Sequence, residues 1–185
     1  RQSKLRIYSN DELGNLTESF NRMTERITSQ QARLGTYATE LEEAYASTVT
    51  VLSAAIDARD PYTLGHSTRV AKLTAQMGAA IGLSHHELED LEIASLFHDV
   101  GKLKTPDFVL LKDGPLDPQE HREISNHCEN GAAILGRAPS LQKYMPAVRH
   151  HHEWFNGEGY PDGLRGDDIP LYAAIIAVAD AFDAM

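Results

Sequence analysis

At 185 residues and 42% hydrophobic, the chain is long enough for one domain with a buried core plus an extended helix. Its formal charge of −10 repels polyanions, which argues against long nucleic acids as partners, and its single cysteine, Cys128, excludes an internal disulfide. The longest apolar run, Ala173 to Ala179, falls far short of the ~20 residues of a membrane-spanning helix, and no signal-peptide pattern is present, so the sequence reads as a soluble helical fragment.

The first element in chain order is a seam of positions three and four apart. It comprises Leu13, Leu16, Phe20, Met23, Ile27, Gln30, Leu34, Tyr37, Leu41, Ala44, Thr48, Val51 and Ala55. Sustained over about six heptads, it predicts a long helix that pairs in parallel with a second copy, with Gln30 as a polar register mark. A lone amphipathic helix packed on the domain is the alternative.

Ser84 with Glu87 forms a capping box that opens a helix ending at His98-Asp99, where Gly101 terminates it. Asp117-Pro118-Gln119-Glu120 opens another, which is expected to carry His127. A third apolar helix runs from Leu171 to Met185. Its only charged residues, Asp180 and Asp183, are three apart and share a face. No convincing period-two stretch appears, so the expected fold class is all-α, with an N-terminal coiled-coil helix followed by a multi-helix bundle around a central site.

That site is the main chemical signal. His66, His98-Asp99, His127, the run His150-His151-His152 and Asp180 are imidazole and carboxylate donors of the kind that hold iron, manganese or zinc. A lone histidine is usually a core or surface residue, but a buried Asp-His pair and two carboxylates on an apolar helix ask for a cation. A bridging carboxylate can hold two cations roughly 3.5 to 4 Å apart, the spacing used for hydrolysis at phosphorus. Cys128 reads as a packed thiol rather than a nucleophile, and His85, His86 and His121 as solvated.

These residues resemble the HD-GYP domains, a bacterial branch of the HD phosphohydrolase superfamily that hydrolyses cyclic di-GMP. The resemblance rests on Arg59-Asp60-Pro61-Tyr62-Thr63 with His66 and Arg69-Val70, Leu96 to Lys102, Pro106, His127 before Gly131, His151-His152-Glu153, Gly157, Gly159-Tyr160-Pro161, Gly166, Ile169-Pro170 and Ala179 to Met185. Many spaced motifs in order are far more specific than one short pattern. It implies two divalent metals, iron or manganese, one held by His66, His98, Asp99 and Asp180, the other by His127, His151 and His152 with Asp99 bridging. The implied nucleophile is a hydroxide between the cations. Lys102 is similar to the lysine that contacts the scissile phosphate, and Asp183 is expected to orient Lys102 or a water. Tyr160 and Arg69 are expected to meet substrate. Tyr62 stands where some members carry a glutamate that helps bind a third metal, which favours two metals here. The family pattern continues beyond Met185 with an arginine and a lysine that grip the dinucleotide.

Asp11-Glu12-Leu13-Gly14-Asn15-Leu16 and Phe20-Asn21-Arg22-Met23 resemble the second helix of a HAMP domain, with Arg1 to Asn10 as the tail of its connector. The implied organisation is residues 1–45 as HAMP and coiled-coil relay and 46–185 as the HD-GYP domain, on the cytoplasmic side of the inner membrane in a membrane-anchored receptor. The expected activity is hydrolysis of cyclic di-GMP to linear pGpG or GMP by a homodimer. The alternatives are a catalytically weak module that binds metal, nucleotide and partners such as diguanylate cyclases, and an HD hydrolase for another phosphate ester.

Overall fold

A computed structural model describes residues 5–6, 11–60 and 65–185 of the chain. Leu5 and Arg6 aside, the HAMP-like connector, Arg1 to Asn10, falls outside this range, as do Pro61, Tyr62, Thr63 and Leu64. The described residues are all-α, without a strand. They divide into two compact units, Arg1–Ser47 and Thr48–Met185.

Helix α1 (Glu12–Asp57) opens at Asp11, whose carboxylate accepts the backbone N–H groups of Leu13 and Gly14 at 3.0 and 3.2 Å. In the first unit the seam residues Leu13, Leu16, Phe20, Met23, Ile27, Leu34, Tyr37 and Leu41 are all exposed along this helix. In the second unit Val49, Ser53, Ile56 and Asp57 are buried.

The rest of the second unit is a bundle of α2 (His66–Ala80), α3 (His85–Phe97), α4 (Asp107–Leu110), α5 (Pro118–Ser125), α6 (His127–Leu135), α7 (Met145–His150) and α8 (Leu171–Asp183). Helix α2 packs on α3 and α8, and α7 packs on α6 and α8. Val70, Leu91, Val148 and Ile176 from four of these helices are almost wholly buried in the core. Each such aliphatic side chain contributes about 1.5–3 kcal/mol by leaving water. Both expected capping boxes form: Ser84 with Glu87 opens α3, and Asp117 with Glu120 opens α5, with Pro118 in its first turn.

Two boundaries differ from the sequence reading. The helix opened by Asp117 does not carry His127, because it stops at Ser125 and α6 begins at His127. The imidazole Nδ1 of His127 takes the Ile124 carbonyl at 2.7 Å, an acceptor that a continuous helix would give to the Cys128 N–H. The other concerns Gly101: α3 stops at Phe97 with His98 as its C-cap, next to the expected end at His98-Asp99, but Gly101 does not terminate it and lies inside a 3-10 turn, Val100–Lys104. Gly101 is a contact residue instead of a stop signal: a Cβ there would overlap the His127 carbonyl and press on Gly131 N at 2.5 Å. The backbone of the turn bearing Asp99 and Lys102 therefore lies directly against α6. Gly101→Ala is expected to destabilise the fold by about 2 kcal/mol, read as a lower urea midpoint at unchanged slope. A midpoint equal to that of the parent would show that this approach is not needed.

Candidate metal centre

Three buried histidines share one local arrangement. Nδ1 of His98 lies 2.6 Å from the Ser95 carbonyl, Nδ1 of His127 2.7 Å from that of Ile124 and Nδ1 of His151 2.8 Å from that of Val148. Each reaches three residues back, to a carbonyl near the end of α3, α5 or α7. A carbonyl oxygen only accepts, so each Nδ1 carries a proton, and a neutral ring held this way presents its Nε2 lone pair.

Those lone pairs converge. Nε2 of His127 and Nε2 of His151 stand 3.2 Å apart, and neither neutral ring has a hydrogen to give the other. Nε2 of His98 is buried without a hydrogen-bond partner. Protonation is disfavoured at this end of the site. Burial lowers the pKa of His127, and burial with the neighbouring His152 and His127 rings holds His151 well below the usual histidine range. Burial and His127 also push His152 down to about 4. Buried acceptors that face one another where burial disfavours a proton, as at His127 and His151, fit a cation between them.

The carboxylates complete the set. Asp99 has Oδ1 3.4 Å from His127 Nε2 and Oδ2 3.5 Å from His98 Nε2, so its two oxygens face different histidines. Burial opposes its ionisation, but His98, Lys102 and the other histidines hold its pKa well below the usual carboxylate value. At the other end, His66 places Nε2 3.0 Å from Asp180 Oδ1 and Nδ1 2.7 Å from Asp183 Oδ2. Burial works against charging His66, but its hydrogen bonds to Asp180 and Asp183 prevail and raise its pKa to about 9.

All seven expected ligands are thus brought together. The nearest donor atoms of His66, His98 and Asp180 lie within 4.8 Å of one another, as do those of His98, Asp99 and His151, and those of His127, Cys128, His151 and His152. Imidazole and carboxylate donors in this number fit divalent iron, manganese or zinc.

Other expected residues are placed differently. Asp183 does not meet Lys102. It sits on His66 and takes a two-pronged contact from Arg69, at 2.7 and 2.9 Å, so it fixes a candidate ligand, and Arg69 is committed to it. The Lys102 ammonium reaches Asp99 Oδ2 at 2.7 Å and Asp60 Oδ2 at 3.3 Å. The Tyr160 ring lies over His152 at 5.0 Å between centroids with a 32° tilt. Its phenol is half-buried and pushed up by burial. His150, the spare member of its run, bonds Asp162 at 2.9 Å.

Motif spacing assigns no role to three residues that organise this centre. Glu153 is buried and accepts the backbone N–H groups of Asp162, Gly163 and Leu164 at 2.7, 3.1 and 3.0 Å, closing the loop that carries Tyr160. Arg59 donates to the carbonyls of Lys102 at 3.0 Å, Leu103, and Thr105 at 2.8 Å, capping the turn after Asp99. Asp57 accepts from the Ser67 backbone at 3.3 Å beside His66. A charge directly adjoining a ligand motif was the available signal for Arg59 and Glu153; for Asp57 there was none.

Comparison with known proteins identifies the family. Residues 50–185 match the family described as HD domain. Over 172 residues the chain is 36% identical to the cyclic di-GMP phosphodiesterase response regulator RpfG of Xanthomonas campestris pv. campestris, covering 92% of this chain and 46% of that protein. It is 39% identical over 148 residues to 3'3'-cGAMP-specific phosphodiesterase 2 of Vibrio cholerae, covering 79% of this chain and 28% of that protein. The crystal structure of the cyclic GMP-AMP specific phosphodiesterase V-cGAP3 of Vibrio cholerae has the same fold, with a TM-score of 0.60 at 21% identity over 74% of this chain and 39% of that one. The chain spans less than half the length of these relatives.

The raised pKa of His66 makes a stability prediction. An unfolded histidine titrates near 6.5 and folded His66 near about 9, so its contribution is full below 6.5 and lost as pH rises through 9. Chelator-treated protein is expected to melt at a lower temperature at pH 9.5 than at pH 6.5, with a smaller difference in Asp183→Asn. Equal pH responses in the two proteins would remove the Asp183–His66 pair as its source.

Proposed function

The chain belongs to the HD-domain family, and from that premise we propose that it is a metal-dependent phosphodiesterase that hydrolyses cyclic di-GMP. The observation that carries the metal dependence is the opposed pair of His127 and His151 Nε2 atoms, 3.2 Å apart with both Nδ1 protons already given to carbonyls. His66, His98, Asp99 and Asp180 would hold one divalent ion, and His127, His151 and His152 a second, with Asp99 shared. Such ions polarise phosphoryl oxygens and bring the pKa of water towards neutrality.

The chain's own groups do the positioning. The fixed Nδ1 protons of His98, His127 and His151 keep their Nε2 atoms aimed inward, and Asp183 does the same for the His66 ring. Lys102, tied to Asp99 and Asp60, keeps Asp99 ionised and sets a buried positive charge beside the centre, where charge building on phosphoryl oxygen is stabilised. Tyr160, over His152, walls one side of the site, which suits a flat guanine or adenine base.

Cyclic di-GMP is the first substrate because RpfG is named for it, and 3'3'-cGAMP is the second because the Vibrio cholerae relative is named for that nucleotide. Turnover of both by iron- and manganese-loaded protein, with products resolved by chromatography, decides between them. Asp99→Ala is expected to lower turnover by about 100-fold or more. Full activity in that variant would reject the centre as the catalytic site, and preference for cGAMP would reassign the substrate.

The exposed seam of α1 supports a parallel homodimer and a HAMP-type relay at the membrane, with diguanylate cyclase domains as further partners. Inserting one residue at Thr48 shifts the helix register and is expected to change turnover at least about twofold at equal metal content. Unchanged turnover and dimerisation would dismiss the relay.

A further inference from the structure

We propose that Cys128 is a metal ligand, giving the position held by His127, His151 and His152 a sulfur donor alongside its nitrogens. The inference rests on the metal-centre reading above. It adds a donor that neither the motif nor the comparisons assign.

Cys128 is wholly buried, and its Sγ shares the 4.8 Å cluster of donor atoms with His127, His151 and His152. Sγ stands 3.6 Å from His127 Nε2. Zinc binds nitrogen at about 2.1 Å and sulfur at about 2.3 Å, so two such ligands at a tetrahedral angle are about 3.6 Å apart. The orphaned lone pairs nearby make a second, independent argument for an ion at this place: His127 Nε2 has no proton to give His151 Nε2 at 3.2 Å, and His98 Nε2 is buried without a partner. The chain also supplies donors here in adjacent pairs. His151 and His152 come from one turn, and His127 and Cys128 begin one helix, so the sulfur needs no separate element to reach the centre.

Binding releases the thiol proton to solvent and leaves a thiolate on the metal; no electron is transferred. A thiolate selects borderline metals such as zinc, iron or cobalt over manganese or magnesium, which carboxylates and water prefer. Cys128 thus decides which ion the chain retains. The opposing account is a thiol that simply donates a weak hydrogen bond to His127.

Cobalt(II) titration under anaerobic conditions, with a phosphine in place of thiol reductants, separates the two. Cys128 is the only cysteine in the chain, so any thiolate-to-cobalt charge-transfer band in the near ultraviolet has one source. The expected result is a band in the parent protein that is absent from both Cys128→Ser and Cys128→Ala. Zinc dissociation constants in the two variants are expected to rise about tenfold or more, with manganese changed by less than about twofold. X-ray absorption of the zinc form should show a sulfur shell near about 2.3 Å. Stoichiometric cobalt with no such band in the parent would overturn the sulfur ligand and leave the nitrogen and oxygen centre standing. Failure of the parent to bind cobalt or zinc would overturn both.

Discussion

The centre depends on a short hydrogen bond repeated three times, from a histidine Nδ1 to the carbonyl three residues before it. Helix ends leave carbonyls short of helical partners, and here each accepts from an imidazole. One bond does two jobs: it adds a donor to a helix-end carbonyl and fixes the ring's tautomer, so that a lone pair points away from the helix end. Because α3, α5 and α7 all finish around one point, three such lone pairs meet there. The packing of the bundle therefore sets the chemistry of the site. Gly101 belongs to the same constraint, since only a residue without a side chain lets the turn after Asp99 lie against the backbone of His127.

The two ends of the site differ electrically. The His127 and His151 end is dry and surrounded by other rings, which keeps its imidazoles neutral and ready to ligate. The His66 end faces Asp180 and Asp183, which favour a proton on its ring. A divalent ion at the first end would displace no proton from its imidazoles, whereas one at His66 would compete with the proton on that ring. Asp99, with one oxygen toward each set of histidines and a lysine at 2.7 Å, is the group on which both ends act.

Much of this was legible in the sequence, for physical reasons that differ by residue. The capping boxes at Ser84 and Asp117 are local, so spacing alone revealed them. Asp180 and Asp183 stood out because carboxylates on an otherwise apolar helix must be compensated. The helix end before His98 was legible to within a residue, but the break before His127 was not, because a side chain that takes a backbone carbonyl leaves no mark in composition or period. Asp183 is expected from the resemblance to orient Lys102 or a water, but it lies on α8 against α2, and only tertiary packing shows that its partners are His66 and Arg69.

The end of α1 is where helix and centre meet within the second unit. Asp57 holds Ser67, the neighbour of His66; Asp60 holds Lys102, which holds Asp99; and Arg59 caps the turn between them. One short stretch of chain is therefore tied to both halves of the ligand set, through the residues beside the ligands rather than the ligands themselves. Rotation of that stretch would strain the Ser67 contact and the Lys102 contact together, because the carboxylates of Asp57 and Asp60 move with a single backbone. Two arrangements of that stretch would then differ in the hydrogen bonds made to the neighbours of His66 and Asp99, which is the difference the proposed relay requires.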